Sequence, residues 1–529
     1  MVTTPHYLAS AAGLHVLRQG GNAVEAALAA AAAVAVVYPH MNGLGGDNFW
    51  LIYDAGSGQL RALNASGYAG SLAAIERYRE LGHAHIPTRG LLAAITVPGA
   101  VAGWGAAFAF SRQAMGGRLD WATLLADARE YATGGFPAST RLARWVEAHL
   151  DDRQELGGLE GSRRIFGKAN GDGYRPGERF CQPELARTLQ VVAEEGPEVF
   201  YRGALAREMA AFFEKEGGLL TAEDFADFHP EWVEPLRVRY RGYEACNQPP
   251  NSQGMASLAI LNILDHLDLR ALEPGGPDHI HAVVEATKLA FADRDRWLTD
   301  PRFATIPTDR LLARAYGEEQ ARRITISRAA RGARPGPAAG DTIWLGVVDE
   351  AGNAVSLIQS LYYEFGSGVV AGRTGVLFQN RGVFFSLDPA HVNSLQPRKR
   401  TFHTLNAPML LQDGRPFLIY GCMGGEGQPQ YQAALVTRLV DFGFELQEAI
   451  EAPRWLWGRT WGPEASSLYV ESRVGRDVIE ALGRRGHTVQ AVGEWSEMMG
   501  HAQAILVDPE TGARLGGADP RADGVALGY

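Results

Sequence analysis

The chain has 529 residues, 46% hydrophobic and 21% charged, the profile of a globular protein with room for two or three domains. Sixty acidic against fifty basic residues leave a net charge of −10, which excludes a nucleic-acid-tracking surface but not a local basic site for a small anion. Three widely spaced cysteines, Cys181, Cys246 and Cys422, match no zinc or redox pattern and read as isolated thiols in a reducing compartment.

The opening "MVTTPHYLASAAG" lacks a basic-then-apolar leader, so a cytoplasmic location is the expectation. "ASAAGLHVLRQGG" reads as a helix stopped by Gly20–Gly21, and a second helix opens on an N-cap Asn22 and ends before Pro39. Its apolar run, Ala26 to Val37, is too short for a membrane span, which needs about 20 residues, and predicts a buried helix. "FWLIYD" and "LRALNA" flank "AGSGQ" as a hairpin. Helical patterns then prevail from Ser71 to about Ala292, with strands near "EPLRVRYRGYEAC". "HIHAVVEATKLAFADRDRWL" predicts a long amphipathic helix. The segment Ser327–Gly340 has neither period and reads as a linker, after which "TIWLGVVDEAGNAVSLIQS" predicts strand, turn, strand. Two further helices, "QYQAALVTRLVDFG" and "GRDVIEALGRRG", precede the last strands. The residues after Thr342 hold few helices to cover sheet faces, so the chain predicts one α+β domain in two pieces, helices outside two antiparallel sheets.

The junction Gly340-Asp341-Thr342 carries the first chemical signal. If the chain cuts itself before Thr342, the freed α-amine becomes the base for the neighbouring hydroxyl. The plain alternative is a β-branched residue opening a strand. Gly424 and Gly425, in "YGCMGGEGQPQYQ", lie between a strand and a helix start, where backbone N–H groups form an oxyanion hole, an anion cradle or simply a tight turn. "HMNGLGGDNFW" is a second glycine loop in which His40 and Asp47 read as structural. "RKRTFHTLNAP" gathers three cations ahead of His403 and Thr404 and reads as a solvated face. No HExxH, GxSxG, phosphate-loop or dinucleotide motif is present, so no metal or cofactor is expected.

With these motifs placed, the chain resembles the gamma-glutamyltransferase family of N-terminal-nucleophile hydrolases over nearly its whole length. The matching segments fall in family order: "GLHVLRQGGNAVEAALAAAAAVAVVYPHMNGLGGDNFWLI", "TVPGAVAGW", "EEGPEVFYRGALA", "LTAEDFADFHP", "YRGYEACNQPPNSQG", "EATKLAFADRDRWLTDP", "GDT", "VVDEAGNAVS" and "MGGEGQPQ". The resemblance implies a four-layer αββα sandwich made as a precursor. It implies cleavage between Asp341 and Thr342 at the end of a 327–341 precursor loop, giving a large chain 1–341 and a small chain 342–529. It makes Thr342 the nucleophile, Gly424 and Gly425 the oxyanion hole, and Ser360 the counterpart of a second threonine that hydrogen-bonds the nucleophile.

The departures bear on substrate. Ser66 stands at the position of the family arginine that holds a glutamate α-carboxylate, and Phe384 lies near the aspartate that holds its α-amine. Arg381 occupies the preceding polar position and Tyr362 replaces an asparagine, while His403 and Thr404 fall at a serine pair. A buried ammonium facing Phe384 would lack its counter-charge. This pattern is most similar to the oxamate amidohydrolase branch, linked to ureide and purine-nitrogen catabolism. It implies a small planar anionic amide as partner, with Arg381 pairing its carboxylate and Tyr362 and Phe384 shrinking the cavity. A glutathione hydrolase or transferase, a cephalosporin or glutaryl acylase, an unprocessed binding homologue, and a homodimer of the cleaved chains stay open.

Overall fold

The computed structural model describes residues 1–330, 340–458 and 466–529. Most of the expected linker, 331–339, therefore lies outside the described residues. In chain order the strands of the two main sheets are β1 (Val2–Thr4), β2 (Asp47–Asp54), β3 (Gln59–Ala65), β4 (Glu231–Val233), β5 (Leu236–Tyr240) and β6 (Tyr243–Asn247). They continue as β7 (Asp341–Val348), β8 (Ala354–Tyr362), β9 (Met409–Gln412), β10 (Arg415–Cys422), β11 (Ala502–Val507), β12 (Arg514–Ala518) and β13 (Val525–Leu527). One sheet runs β13-β1-β7-β8-β2-β3-β4 and the other β12-β11-β10-β9-β6-β5. Each sheet mixes strands from before and after residue 342, so neither stretch of chain contains a complete sheet.

Alternation along the strands assigns each side chain to a face. In β7, Trp344 and Val348 join Phe49, Leu51, Ile358, Met409 and Ile419 in the core between the sheets, whereas Ile343, Leu345 and Val347 point outward. The outward face is covered by α1 (Tyr7–Arg18), α2 (Ala23–Val37) and α3 (Ala100–Ala114). The second sheet is covered by α4 (Gly254–Leu264), α5 (Pro277–Trp297) and α6 (Gln428–Val440). The result is four layers, α, β, β, α. All of α2 is buried, and its run of alanines lets it lie close against β7 and β8. Its start is closed by a capping box: Asn22 Oδ1 accepts from the Glu25 N–H at 3.0 Å, and the Glu25 carboxylate accepts from the Asn22 N–H at 2.9 Å. No helix among the described residues is long and apolar enough to cross a membrane.

Two expectations change. The helix α5 is not amphipathic in the ordinary sense, because α4, α6 and the helix α7 (Arg476–Arg484) pack around it. Its buried polar side is spent on ion pairs, Glu285 with Lys288 at 2.6 Å and Arg294 with Glu426 at 2.7 Å. The basic run at Arg398 is likewise no solvated face. Only Arg398 is partly exposed; Lys399 is buried on the Val392 and Ser394 carbonyls, and buried Arg400 pairs with Glu231 at 2.8 Å. The three cysteines are free, and burial pushes the Cys246 and Cys422 thiols up to about 12.

Candidate active site

Thr342 shares the parity of Trp344 in β7, so its side chain belongs to the face between the sheets. The antiparallel register pairs Ile343 with Gln359 and Asp341 with Tyr362. Thr342 therefore meets Ser360 and Leu361 across a bulge. The Asp341 side chain lies outside the described residues. Ser360 Oγ accepts the Tyr362 N–H at 2.7 Å, which closes the bulge. Tyr362 has φ of +85°, a conformation an aromatic residue holds only under constraint. That constraint is visible: its ring stacks on Tyr363 at 4.5 Å and packs at a tilt against Phe384 at 4.4 Å. A Cβ on Gly340 would lie 2.5 Å from the Tyr362 ring, so the approach to Asp341 needs glycine.

The first glycine loop proves to be a close-approach segment. A Cβ on Gly46 would lie 2.3 Å from the Ser360 carbonyl oxygen, so glycine there lets the loop lie against the bulge. The next residue, Asp47, is fully buried and collects donors. Its Oδ1 accepts from the N–H groups of Gly67 and Gly99 and from Gln379 Nε2, and its Oδ2 lies 3.1 Å from His403 Nε2. His403 Nδ1 accepts the Leu405 N–H at 3.3 Å, so Nε2 carries the proton that Asp47 receives. Burial, helped by the Arg381 charge, lowers the His403 pKa to about 3 despite Asp47. The imidazole is neutral, with both nitrogens engaged.

Arg381 is fully buried, and no carboxylate forms an ion pair with it among the described residues. Its Nη1 donates to Thr404 Oγ1 at 3.0 Å and its Nη2 reaches Ser360 Oγ at 3.4 Å, while its Nε has no acceptor among the described residues. Burial lowers its pKa to about 10, opposed by Tyr362 and Asp47. The guanidinium carbon sits 4.4 Å from the centre of the Tyr362 ring and 5.6 Å from that of Phe384. A desolvated cation walled by two aromatic rings is built to receive an anion. Ser66 is a neutral hydroxyl that donates to Asn64 Oδ1 at 2.7 Å and lies in reach of Asn251, and it offers no charge.

Gly424 and Gly425 follow β10 with φ of +124° and +52°. The Gly424 carbonyl accepts the Gly427 N–H at 2.7 Å. A trans peptide carries its C=O and N–H on opposite sides, so the Gly425 N–H points away from Gly427. The Gly425 carbonyl accepts Gln253 Nε2 at 2.9 Å, and the same nitrogen donates to the Thr404 carbonyl at 2.7 Å. Hydrogen bonds thus run from the glycine pair through Gln253 and Thr404 to Arg381 and Ser360, beside Thr342. Thr342, Ser360, Arg381, Tyr362, Phe384, His403, Thr404, Gly424 and Gly425 are brought together, with Ser66 joined through its neighbour Gly67 to Asp47. Sequence reasoning missed Gln253, Arg294 and Glu426, and treated Asp47 as unremarkable structure. Arg294 stands in the charged run Asp293-Arg294-Asp295-Arg296 at the end of α5, where nothing local marks it as the buried member.

Elsewhere, His281, Glu285 and His487 place ligand atoms within 4.8 Å of one another. Glu285 there already holds the Lys288 ammonium and the Ala330 N–H, so an internal cation fills that position.

Comparisons with known proteins agree with this fold. The gamma-glutamyltranspeptidase family model matches residues 9–529. The chain is 47% identical to the glutathione hydrolase-like YwrD proenzyme of Bacillus subtilis, over 100% of this chain and 98% of that protein. It is 46% identical to the oxamate amidohydrolase proenzyme of Klebsiella pneumoniae, again over 100% and 98%. Among solved structures, cephalosporin acylase from Bacillus halodurans superposes with a TM-score of 0.91 at 38% identity, covering 99% of this chain and 94% of that one.

Proposed function

The chain belongs to the gamma-glutamyltranspeptidase family, whose relatives here are amide-hydrolysing proenzymes, and we propose that it is a self-cleaving threonine amidohydrolase for a small anionic amide such as oxamate. The observation that carries the substrate reading is Arg381, a buried cation with no carboxylate ion-paired to it among the described residues, walled by Tyr362 and Phe384 and hydrogen-bonded to Ser360 beside Thr342. A glutathione hydrolase needs a cation for the glutamate α-carboxylate where Ser66 stands, and an anion for the α-amine where Phe384 stands; neither is present at those positions.

In the precursor, the Thr342 hydroxyl attacks the Asp341 carbonyl, the peptide nitrogen leaves as the Thr342 α-amine, and water hydrolyses the resulting ester, leaving a carboxyl group on chain 1–341 and a free hydroxyl and α-amine on chain 342–529. That amine takes the proton of the Thr342 hydroxyl, whose oxygen attacks the substrate carbonyl. The Gly424 and Gly425 N–H groups receive the oxyanion, a contribution worth about 10²–10³ in turnover per donor. The amide nitrogen leaves as ammonia and water hydrolyses the threonyl ester; for oxamate the products are oxalate and ammonia. Arg381 holds the carboxylate throughout. Thr342→Ala should migrate as one uncut band and lose activity by at least about 10³-fold, whereas the parent protein gives two bands. Side-by-side assays of oxamate, glutathione and a glutaryl amide test the substrate. Faster release from glutathione would overturn the anion-pocket reading, and an uncut, inert parent protein would mark a binding homologue.

A further inference from the structure

Behind the glycine pair lies a polar cluster that the proposed chemistry does not use. Gln253 is fully buried at the start of α4, and each of its side-chain groups is engaged. Its two N–H donors go to the Thr404 and Gly425 carbonyls at 2.7 and 2.9 Å, and its oxygen accepts Arg294 Nη1 at 3.2 Å. Arg294, 1% exposed, donates from Nη2 to Glu426 Oε1 at 2.7 Å and from Nε to Asp295 at 2.8 Å. Its guanidinium also lies 3.8 Å from the centre of the Phe291 ring. Glu426 directly follows Gly425 and is itself fully buried. A buried ion pair is a poor source of net stability, because desolvation consumes most of the attraction. What this one does, with Gln253, is fix the orientation of two carbonyl-bearing loops.

We propose that Gln253, Arg294 and Glu426 form a positioning brace that couples the oxyanion donors to the anion site. Gln253 holds the Gly425 peptide and Thr404 through one nitrogen, and Thr404 in turn holds Arg381. Glu426 and Arg294 fix the far side of the same glycine turn. The brace also spans the proposed cleavage point, since Gln253 and Arg294 precede residue 342 and the groups they hold follow it. This inference rests on the reading of Gly424 and Gly425 as oxyanion donors.

The test uses matured protein and two probes besides turnover. A small carboxylate-bearing boronic acid forms a tetrahedral adduct with the Thr342 hydroxyl and reports on the oxyanion donors; oxalate reports on Arg381. Gln253→Met keeps side-chain volume but has no N–H donors. It should lower kcat by about 100-fold and weaken both probes, because an ångström of displacement at the reacting centre carries such a penalty. Glu426→Gln keeps size and polarity and, among the described residues, acts through Arg294 on the glycine turn. It should weaken the boronic acid by at least about tenfold while oxalate affinity stays within about twofold. A matured Gln253→Met protein with kcat near that of the parent overturns the brace. So does a Glu426→Gln variant that binds the boronic acid unchanged or loses both probes equally, and this second variant decides the question if the first does not mature. An inert parent protein that binds neither probe overturns the amidase reading, and the brace with it. An active parent with unaffected variants overturns the brace alone.

Discussion

Arg381 concentrates the energetic conflict of the site in one side chain. Burial opposes its charge strongly enough to bring its pKa down to about 10, and hydrogen bonds to Thr404 and Ser360 with two aromatic rings offset only part of that penalty. Such a cation is retained where a ligand completes its partners. Arg381→Met should therefore move stability and function in opposite directions. Thermal unfolding of the unliganded protein should rise by on the order of 1 kcal/mol in stability, because an uncompensated buried charge is gone. KM for oxamate should rise about 10–100-fold, the value of a charged hydrogen bond, while a neutral amide such as oxamide loses little. A variant that is both less stable and equally impaired on neutral substrate would mean that Arg381 acts as a structural strut.

At the scale of elements, the bulge in β8 and the glycine loop before β2 fit each other like a key and its ward. A side chain at Gly46 would collide with the Ser360 carbonyl backbone, which has no flexible tip to swing aside. Gly46→Ala should displace the bulge and lower turnover by more than about tenfold, since the bulge carries Ser360 and borders Thr342. Asn22→Ala makes the contrast. It removes one capping box from α2, and should lower stability by about 1 kcal/mol in urea titration with KM and kcat unchanged. Most of these elements were legible locally: the Asn22 cap, the β2–β3 hairpin and the β7–β8 pair follow from period, turn chemistry and end signals. The family resemblance added the expectation of roles for Thr342, Ser360 and the glycine pair, which the proposed function carries forward for test. What stayed hidden is what long-range packing decides. Gln253 and Arg294 are 41 residues apart, and Arg294 and Glu426 are 132 apart, so no local pattern joins them. The basic run misled in part for the same reason: Arg400 looks like surface until Glu231 and the Ser66 carbonyl, distant in sequence, fold over it, whereas Lys399 turns back on the nearby Val392 and Ser394 carbonyls.

Across the whole molecule, interleaving two pieces of chain in both sheets buries polar groups at every layer, and the histidines record it. Burial lowers His279, His403 and His501 from 6.5 to about 3, and His6 to about 4. The sign follows from proton uptake. Between pH 6.5 and about 3 the unfolded chain binds protons at these positions and the folded protein does not, so stability is fully present above 6.5 and is lost as pH falls. At pH 5.5 each of His279, His403 and His501 removes on the order of 1 kcal/mol, a few kcal/mol together, set against a domain's typical stability of about 5–15 kcal/mol. Urea midpoints should fall steeply from pH 7.5 to 5.5. Replacing His279, which lies in α5 away from Thr342, with glutamine should flatten that slope by one proton's worth while leaving the pH dependence of kcat unchanged. A slope untouched by that replacement would mean that His279 takes up no more protons in the unfolded chain than in the folded one over this range. The distinction matters for maturation. A precursor whose layers loosen below pH 6 loses the alignment of Thr342 with its bulge, so the rate of band splitting should follow the same pH curve as the urea midpoint.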